Sequence, residues 1–245
     1  MTTLRNSQPL VVVTGGGGYI GVVLIHQLLD QGYRVRALDT FFWGKEVLAD
    51  LSDRIEIVNA DIRSVEPDHF TDATAVVHLA GLSNDPMANF RPDANWAINT
   101  VATEHVLNAS IAAGVERLTF GSSASLYDGL GSVQLHTEEA AIQPTGPYAE
   151  SKHRAEQLLL NAGDRICITL LRQGTVYGFS PRMRFDLVVN TFVRAGLTDG
   201  KFTLHGAGKM WRPLIDVSDV ANAHIAVIEA PMGKVQNEVF NLLHN

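Results

Sequence analysis

Four consecutive glycines, Gly15 to Gly18, follow the apolar run Leu10-Val11-Val12-Val13 and precede Tyr19-Ile20-Gly21. No other stretch restricts the fold as tightly. The β-branched run reads as a strand buried on both faces, the habit of parallel sheets that helices cover. Two glycine spacings fit at once, Gly16-x-Gly18-x-x-Gly21 and the wider Gly15-x-x-Gly18-x-x-Gly21. Each puts glycine where backbone must approach a pyrophosphate closely and where helix meets strand. A glycine loop alone is weak evidence, but this one follows a strand and opens a helix, which is the context the motif requires.

Short β-branched runs continue to alternate with longer helical patterns, which signals parallel βαβ construction. Expected strands are Arg34–Leu38, Arg54–Val58, Ala75–Leu79, Val115–Phe120 and Ile166–Leu171. Expected helices run from about Tyr19 to Gln31, from near Ala94 to Ala113, and through Tyr148, with Pro147 at the first turn, where its missing N–H costs nothing. The fold class is therefore α/β, a doubly wound parallel sheet of the Rossmann kind over residues 1–171. Beyond Leu171 the rhythm loosens, and residues 172–245 read as a smaller substrate-covering region with some return to the core. An apolar helix is expected over Phe185–Phe192, and Val239-Phe240-Asn241-Leu242 is strand-like.

Composition narrows the class of partner. A formal charge of −7 argues against a nucleic-acid or anionic-membrane surface. No apolar run approaches the roughly 20 residues that cross a bilayer, and Met1 to Pro9 lacks the apolar segment of a signal peptide. Cys167 is the only cysteine, so no internal disulfide exists; its apolar setting suits a buried structural thiol. These readings give a reduced, soluble, cytoplasmic protein. His78, His136, His205 and His224 are scattered without metal spacing, so no metal is expected. Trp43, Trp96 and Trp211 are expected to pack or to line a pocket.

Asp39 ends the second strand, 18 residues past Gly21. A carboxylate there accepts hydrogen bonds from a ribose diol and repels a 2′-phosphate, which favours NAD over NADP. Arg34 and Arg36 precede it and could serve a phosphate instead. Further on, Tyr148 and Lys152 stand four apart, on one helix face. A lysine ammonium there can stabilise a phenolate; bringing a phenol from about 10 to neutrality takes roughly 3 pH units, or about 4 kcal/mol. A dinucleotide loop and a tyrosine–lysine pair together suggest hydride chemistry on a carbinol.

These residues resemble the extended short-chain dehydrogenase/reductase family, in its nucleotide-sugar epimerase/dehydratase branch. The matching pieces run through the chain in order: the glycine loop, Asp39, Asp61-Ile62, His78-Leu79-Ala80-Gly81, Asn99, Ser122-Ser123-Ala124-Ser125-Leu126-Tyr127, Tyr148-x-x-x-Lys152, Arg172 to Gly178, and Trp211-Arg212-Pro213-Leu214-Ile215-Asp216-Val217. The resemblance implies NAD held by Gly15, Gly18, Tyr19, Ile20 and Gly21, with Asp39 on the ribose. Asp61 and Ile62 would border the adenine, and Leu79, Ala80 and Gly81 would line the cofactor. Asn99 would brace the catalytic region. Ser123 would hydrogen-bond the reacting hydroxyl, Tyr148 would be the acid/base, and Lys152 would hold the nicotinamide ribose and lower the tyrosine pKa. Arg212 would contact a substrate diphosphate or else be a surface cation. Ser83, Ser125, Thr175 and Arg182 are further candidate substrate contacts; Arg182 and Arg184 either neutralise a diphosphate or stay solvated.

Within that branch, dehydratases usually carry an Asp-Glu pair just after the active-site hydroxyl, decarboxylases a nearby glutamate, and some reductase-epimerases a cysteine. This chain has Ala124 and Ser125 there. The resemblance then implies an epimerase of nucleotide-diphosphate sugars, acting at C4, with one-way keto-sugar reduction, dehydration or a non-catalytic NAD sensor as alternatives. Thr175 stands where UDP-sugar epimerases often have asparagine. Relatives usually continue past the position of Asn245, so the C-terminal region is expected to be a truncated one: a piece of a longer chain, a naturally short one, or one completed by a partner. Pairing through the Tyr148 helix and the Ala94–Ala113 helix would make a homodimer.

Overall fold

In the computed structural model, which describes residues 8–130, 136–201, 203–204 and 211–244, neighbouring valines of the first strand serve opposite cores. Val12 packs with Val76, Leu118, Phe120 and Ile168 against Val106, Ala155 and Leu159. Val11 and Val13 pack the other way with Ala75 and Val77, against Val22, Ile25, Leu28, Ala221 and Ile225. Alternation along a strand therefore feeds two layers of helix. Each fully buried aliphatic side chain contributes about 1.5–3 kcal/mol.

The elements in chain order are β1 (Leu10–Thr14), α1 (Tyr19–Asp30), β2 (Arg34–Asp39), β3 (Glu56–Asn59), β4 (Ala73–His78), α2 (Asp85–Phe90), α3 (Pro92–Trp96), α4 (Ala102–Ala112), β5 (Arg117–Ser123), α5 (Gly146–Leu160) and β6 (Cys167–Gln173). There follow β7 (Thr175–Tyr177), α6 (Val188–Thr198), β8 (Leu214–Asp216), α7 (Val217–Glu229), α8 (Met232–Val235) and β9 (Glu238–Leu242). Seven strands form one sheet in the order β3-β2-β1-β4-β5-β6-β9, and all of its pairs are parallel. The order reverses direction between β1 and β4. In such sheets ligands bind beyond the carboxyl ends of the strands, at that switch point.

Several boundaries differ from the sequence expectation, each for a local reason. β5 continues through Ser123, because Gly121, Ser122 and Ser123 pair in register with Leu171, Arg172 and Gln173. β3 starts only at Glu56, since the Arg54 and Ile55 N–H groups turn back to Leu51 O. The helix expected over Ala94–Ala113 is α3 and α4 joined by a wide π turn at Ala97–Val101. The apolar helix begins at Val188, three residues late, and runs on to Thr198. The residues past Leu171 do not stand apart from the main sheet. β9 pairs with β6, and α7 packs its Ala221 and Ile225 into the same core as α1.

Cys167 is buried, and burial raises its thiol pKa. The three tryptophans do not pack inside; Trp43, Trp96 and Trp211 are all exposed. No helix among the described residues is long and apolar enough to cross a membrane. Among those residues no three His, Cys, Asp or Glu side chains cluster as metal ligands, and His205 lies outside them.

Two histidines are locked inside as neutral rings. His78 Nδ1 meets Thr14 Oγ1 at 2.7 Å, and its Nε2 meets Thr103 Oγ1 at 2.9 Å. His224 Nδ1 meets Thr119 Oγ1 at 2.6 Å. Burial pushes both rings down to about 3. An unfolded histidine titrates near 6.5, so the folded state resists protonation that the unfolded state accepts. The stability this represents is complete above about pH 6.5 and is lost as pH falls from there toward about 3. Urea unfolding at pH 7.5 and at pH 5 should differ by about 4 kcal/mol from these two rings together, with the acidic sample the weaker. Equal unfolding free energies would show that the rings are not buried in neutral form.

Candidate active site

The glycine loop is shaped by close backbone approach. Gly15 has φ of 74°, and a Cβ on it would stand 2.7 Å from Ala80 N. Its own N–H donates to Leu38 O at 2.8 Å, so the turn is pinned between β2 and the segment after β4. The loop delivers the chain into α1 with no side chain capping the helix N-terminus and no acidic residue in the first turn. Those free N–H groups and the helix dipole make an anion site. Asp39 sits directly above: its Oδ2 accepts from Gly17 N at 3.1 Å and its Oδ1 from Phe41 N at 2.9 Å. Each carboxylate oxygen keeps further acceptor capacity for a diol.

Arg34 and Arg36 are unavailable to a phosphate there, because both pair with Glu56. Asp39→Ala is expected to weaken NAD binding about 10-fold to 100-fold, a loss of one or two charge-assisted hydrogen bonds. Calorimetric titration with NAD checks this; unchanged affinity would remove Asp39 from the cofactor site.

The other expected cofactor residues line up from this loop toward α5. Leu79 N donates to Thr14 O at 3.1 Å and Ala80 N to Thr14 Oγ1 at 3.4 Å. A Cβ on Gly81 would stand 2.8 Å from Asn99 Oδ1 and 3.7 Å from Lys152 Nζ. Asp39, the glycine loop, Leu79–Gly81 and Lys152 thus form one continuous wall. Tyr19 sends its hydroxyl to Gly178 O at 2.7 Å, and Ile62 turns its side chain into the core, which leaves the backbone of each for a ligand. Asp61 is held by the Arg63 guanidinium, with Nη2 2.5 Å from Oδ2, which keeps its carboxyl below the ordinary range.

Asn99 lies in the π turn, a feature frequent at functional sites. Its Oδ1 accepts from Leu82 N at 2.8 Å, and its Nδ2 reaches Leu82 O, Asn95 Oδ1 and Ser151 Oγ. Asn95 Nδ2 donates to Pro147 O at 2.9 Å, and Thr100 Oγ1 to Ser151 O at 3.1 Å. These bonds fix the first turns of α5, which carry Tyr148 and Lys152.

Ser123 ends β5, and its hydroxyl acts on the Tyr148 phenol. Ser125 donates to Ser123 Oγ from both its hydroxyl, at 2.9 Å, and its N–H, at 3.2 Å. Two donors occupy both lone pairs of that oxygen, which leaves the Ser123 hydrogen to be given away. Ser125 therefore orients Ser123. Burial raises the Tyr148 phenol; the Ser123 bond and the Arg184 charge oppose that rise, and Asp85 adds to it. The phenol is not depressed in the chain alone, contrary to the expectation from its lysine neighbour. Lys152 is 4% exposed, donates to Gly121 O at 2.8 Å, and lies 4.5 Å over the Phe120 ring. Burial pushes its ammonium down to about 8, with Glu156 pulling the other way.

Around Tyr148 the two neighbouring arginines take different directions. The Arg184 charge acts on the tyrosine; its side chain donates to Ser83 Oγ at 2.8 Å and pairs with Asp186. Arg182 instead lays its guanidinium 5.0 Å over the Trp43 ring, at the cofactor end. Arg212 reaches both oxygens of Asp128, at 3.0 and 3.2 Å, and both groups bear on Asp85. Thr175 is held by its backbone to Pro213 O at 2.7 Å. Sequence reasoning passed over Asn95, Asp128 and Glu156; of these only Glu156 left a local trace, one helical turn past Lys152.

Known proteins share this fold. The NAD dependent epimerase/dehydratase family matches residues 11–242. A UDP-glucose 4-epimerase of Lactobacillus helveticus is 30% identical over 95% of this chain and 76% of its own length. A UDP-glucuronic acid decarboxylase of Arabidopsis thaliana is also 30% identical, over 89% of this chain and 52% of its own. The solved structure of MoeE5 in complex with UDP-glucose and NAD superposes with a TM-score of 0.83 at 28% identity, covering 95% of this chain and 75% of that one. The cradle fits a dinucleotide on its own terms, since the close backbone approaches, the uncapped helix end and Asp39 are all present. On these grounds the chain belongs to the NAD dependent epimerase/dehydratase family, as an NAD-using enzyme of the extended short-chain dehydrogenase type.

Proposed function

We propose that the chain epimerises a nucleotide-diphosphate sugar, at C4, by oxidising the carbinol to a 4-keto sugar and reducing it from the other face. The observation that carries this reading is Ser123, oriented by two bonds from Ser125 and acting on the buried Tyr148 phenol. NAD, when bound, supplies the hydride acceptor and returns the hydride. Ser123 donates to the carbinol oxygen, where charge develops, and is preorganised for that role. Tyr148 takes the hydroxyl proton and gives it back. Burial keeps the phenol protonated in the chain alone, so its acceptor form is one that the liganded site has to stabilise.

Arg184, Ser83 and Arg212 supply polar and cationic contacts for the sugar diphosphate, with Thr175 at the edge of the same pocket. In this reading the region after Leu171 serves the sugar, while residues up to Leu171 hold the cofactor and the acid/base residues. Ala124 and Ser125 offer no carboxyl for elimination or decarboxylation, which favours epimerisation over the reactions of other branch members. A homodimer through α4 and α5 is part of the proposal.

Incubation with UDP-, GDP-, CDP- and dTDP-sugars tests it, following both product configuration and absorbance at the NADH band. An inverted product without net NADH change is expected. Net consumption of reduced cofactor would replace this reading with keto-sugar reduction, and NAD binding without turnover of any sugar would replace it with a sensor.

A further inference from the structure

One helical turn beyond Lys152, Glu156 is only 2% exposed, yet it is fully partnered. Ser122 donates to its Oε1 at 2.5 Å, and Arg172 grips both oxygens, Nε at 3.0 Å from Oε1 and Nη2 at 2.8 Å from Oε2. Ser122 and Arg172 are register partners on β5 and β6, so both stand on one face of the sheet with Glu156 above them. Side chains alternate along a strand; when Ser122 points to α5, its neighbour Ser123 points to the cleft. The network extends outward. Arg172 Nη1 donates to Tyr127 Oη at 2.7 Å, and Tyr127 donates to Asn241 Oδ1 at 2.8 Å. Asn241 is the register partner of Arg172 on β9 and also takes Glu138 Oε1 on its N–H at 2.7 Å.

We infer that Glu156 is a positioning residue, which clamps the helix carrying Tyr148 and Lys152 to the strand carrying Ser123 and supplies the buried counter-charge that keeps Lys152 an ammonium. A buried ion pair seldom adds net stability over apolar residues of similar size. Its placement here, with the carboxylate bonded to the residue next to Ser123 and one turn from Lys152, is what a preorganised proton-transfer site needs. The groups facing Lys152 are few. Tyr148 and Glu156 lie on its own helix; His78 on β4 is neutral; Phe120 and Gly121 come from β5; Arg172 on β6 is neutralised by Glu156. Glu156, although paired with Arg172, is the carboxylate among these neighbours whose charge bears on Lys152.

The catalytic half of this inference rests on the epimerase reading, and the counter-charge half does not. The experiment therefore has two readouts on Glu156→Gln. Lysine-15N NMR, with Lys152 Nζ assigned through Lys152→Arg, follows the ammonium titration directly. Its midpoint should fall by about one pH unit or more. In a sugar-turnover assay the alkaline limb of kcat should move down by the same amount, with KM changed less than about twofold. An unchanged Nζ midpoint overturns the counter-charge role, whatever the sugar assay shows. If no sugar is turned over by the wild type, the epimerase reading fails and the NMR midpoint alone decides for or against Glu156. Should Glu156→Gln not fold, the paired variant Glu156→Gln with Arg172→Met removes the uncompensated arginine. A midpoint still below wild type supports the inference, and a restored wild-type midpoint reduces Glu156 to a structural role and overturns it.

Discussion

Tyr148→Phe is expected to cut kcat by about 100-fold to 10,000-fold, or about 3–5 kcal/mol of barrier, while NAD binds within about twofold of wild type. The ring volume is kept, and the helix stays anchored by Asn95 to Pro147 O and by Asn99 and Thr100 to Ser151, none of which uses the phenol. What disappears is the group that, in the proposed mechanism, exchanges a proton with the carbinol. Ser123 remains, but a hydroxyl that gives its hydrogen to substrate and accepts two local bonds has no free lone pair for a proton. The measurement is steady-state turnover of whichever nucleotide sugar the wild type accepts, beside calorimetric NAD titration. Turnover within tenfold of wild type would remove Tyr148 from the mechanism; loss of NAD binding would mean that the substitution acts on the fold.

Gly21→Ala should act at the other end of the cleft, lowering NAD affinity on the order of 100-fold, because small displacements at a preorganised site carry costs of that size. It should also cost about 1–3 kcal/mol of stability, the usual range for a methyl forced into a packed site. A Cβ on Gly21 would overlap Gly15 O and approach Gly16 Cα to 2.9 Å. These are backbone atoms that cannot swing aside. Gly15 O already accepts from Gly18 N at 2.9 Å, and Gly15 N is tied to Leu38 O at 2.8 Å. The loop can move only by releasing those bonds. Gly196→Ala is the control: it lies in α6 with open space around it, where alanine should be neutral or stabilising by about 0.5–1 kcal/mol. Thermal unfolding and NAD titration of the two variants should diverge. A Gly21→Ala protein that binds NAD like wild type would show that the loop does not need its close approach.

Each part of the architecture that could be anticipated depends on residues near one another in the chain. The run Leu10–Val13, the glycine spacing, Asp39 at the end of β2 and the Tyr148–Lys152 interval are all short-range patterns. They act through φ/ψ limits, strand alternation or helical pitch, and these are the same in any fold that contains them. Short-range rules failed where pairing across the sheet extended or shortened an element. β5 reaches Ser123 because β6 lies beside it, and the Ala94–Ala113 helix opens into a π turn where Asn99 turns to bond Leu82 and Ser151.

The amino-acid order alone was enough for the glycine loop, the Tyr148–Lys152 interval and the sheet that carries them, since backbone sterics and side-chain period need no distant partner. It left open which way each of the neighbouring arginines turns. Arg182 and Arg184 are two positions apart, yet one lies over Trp43 and the other meets Ser83, 101 residues away. Glu156 likewise found Arg172 and Ser122 only because β5 and β6 run side by side beneath α5. Long charged side chains have no preferred direction of their own; the convergence of strand ends in space assigns each one its partner.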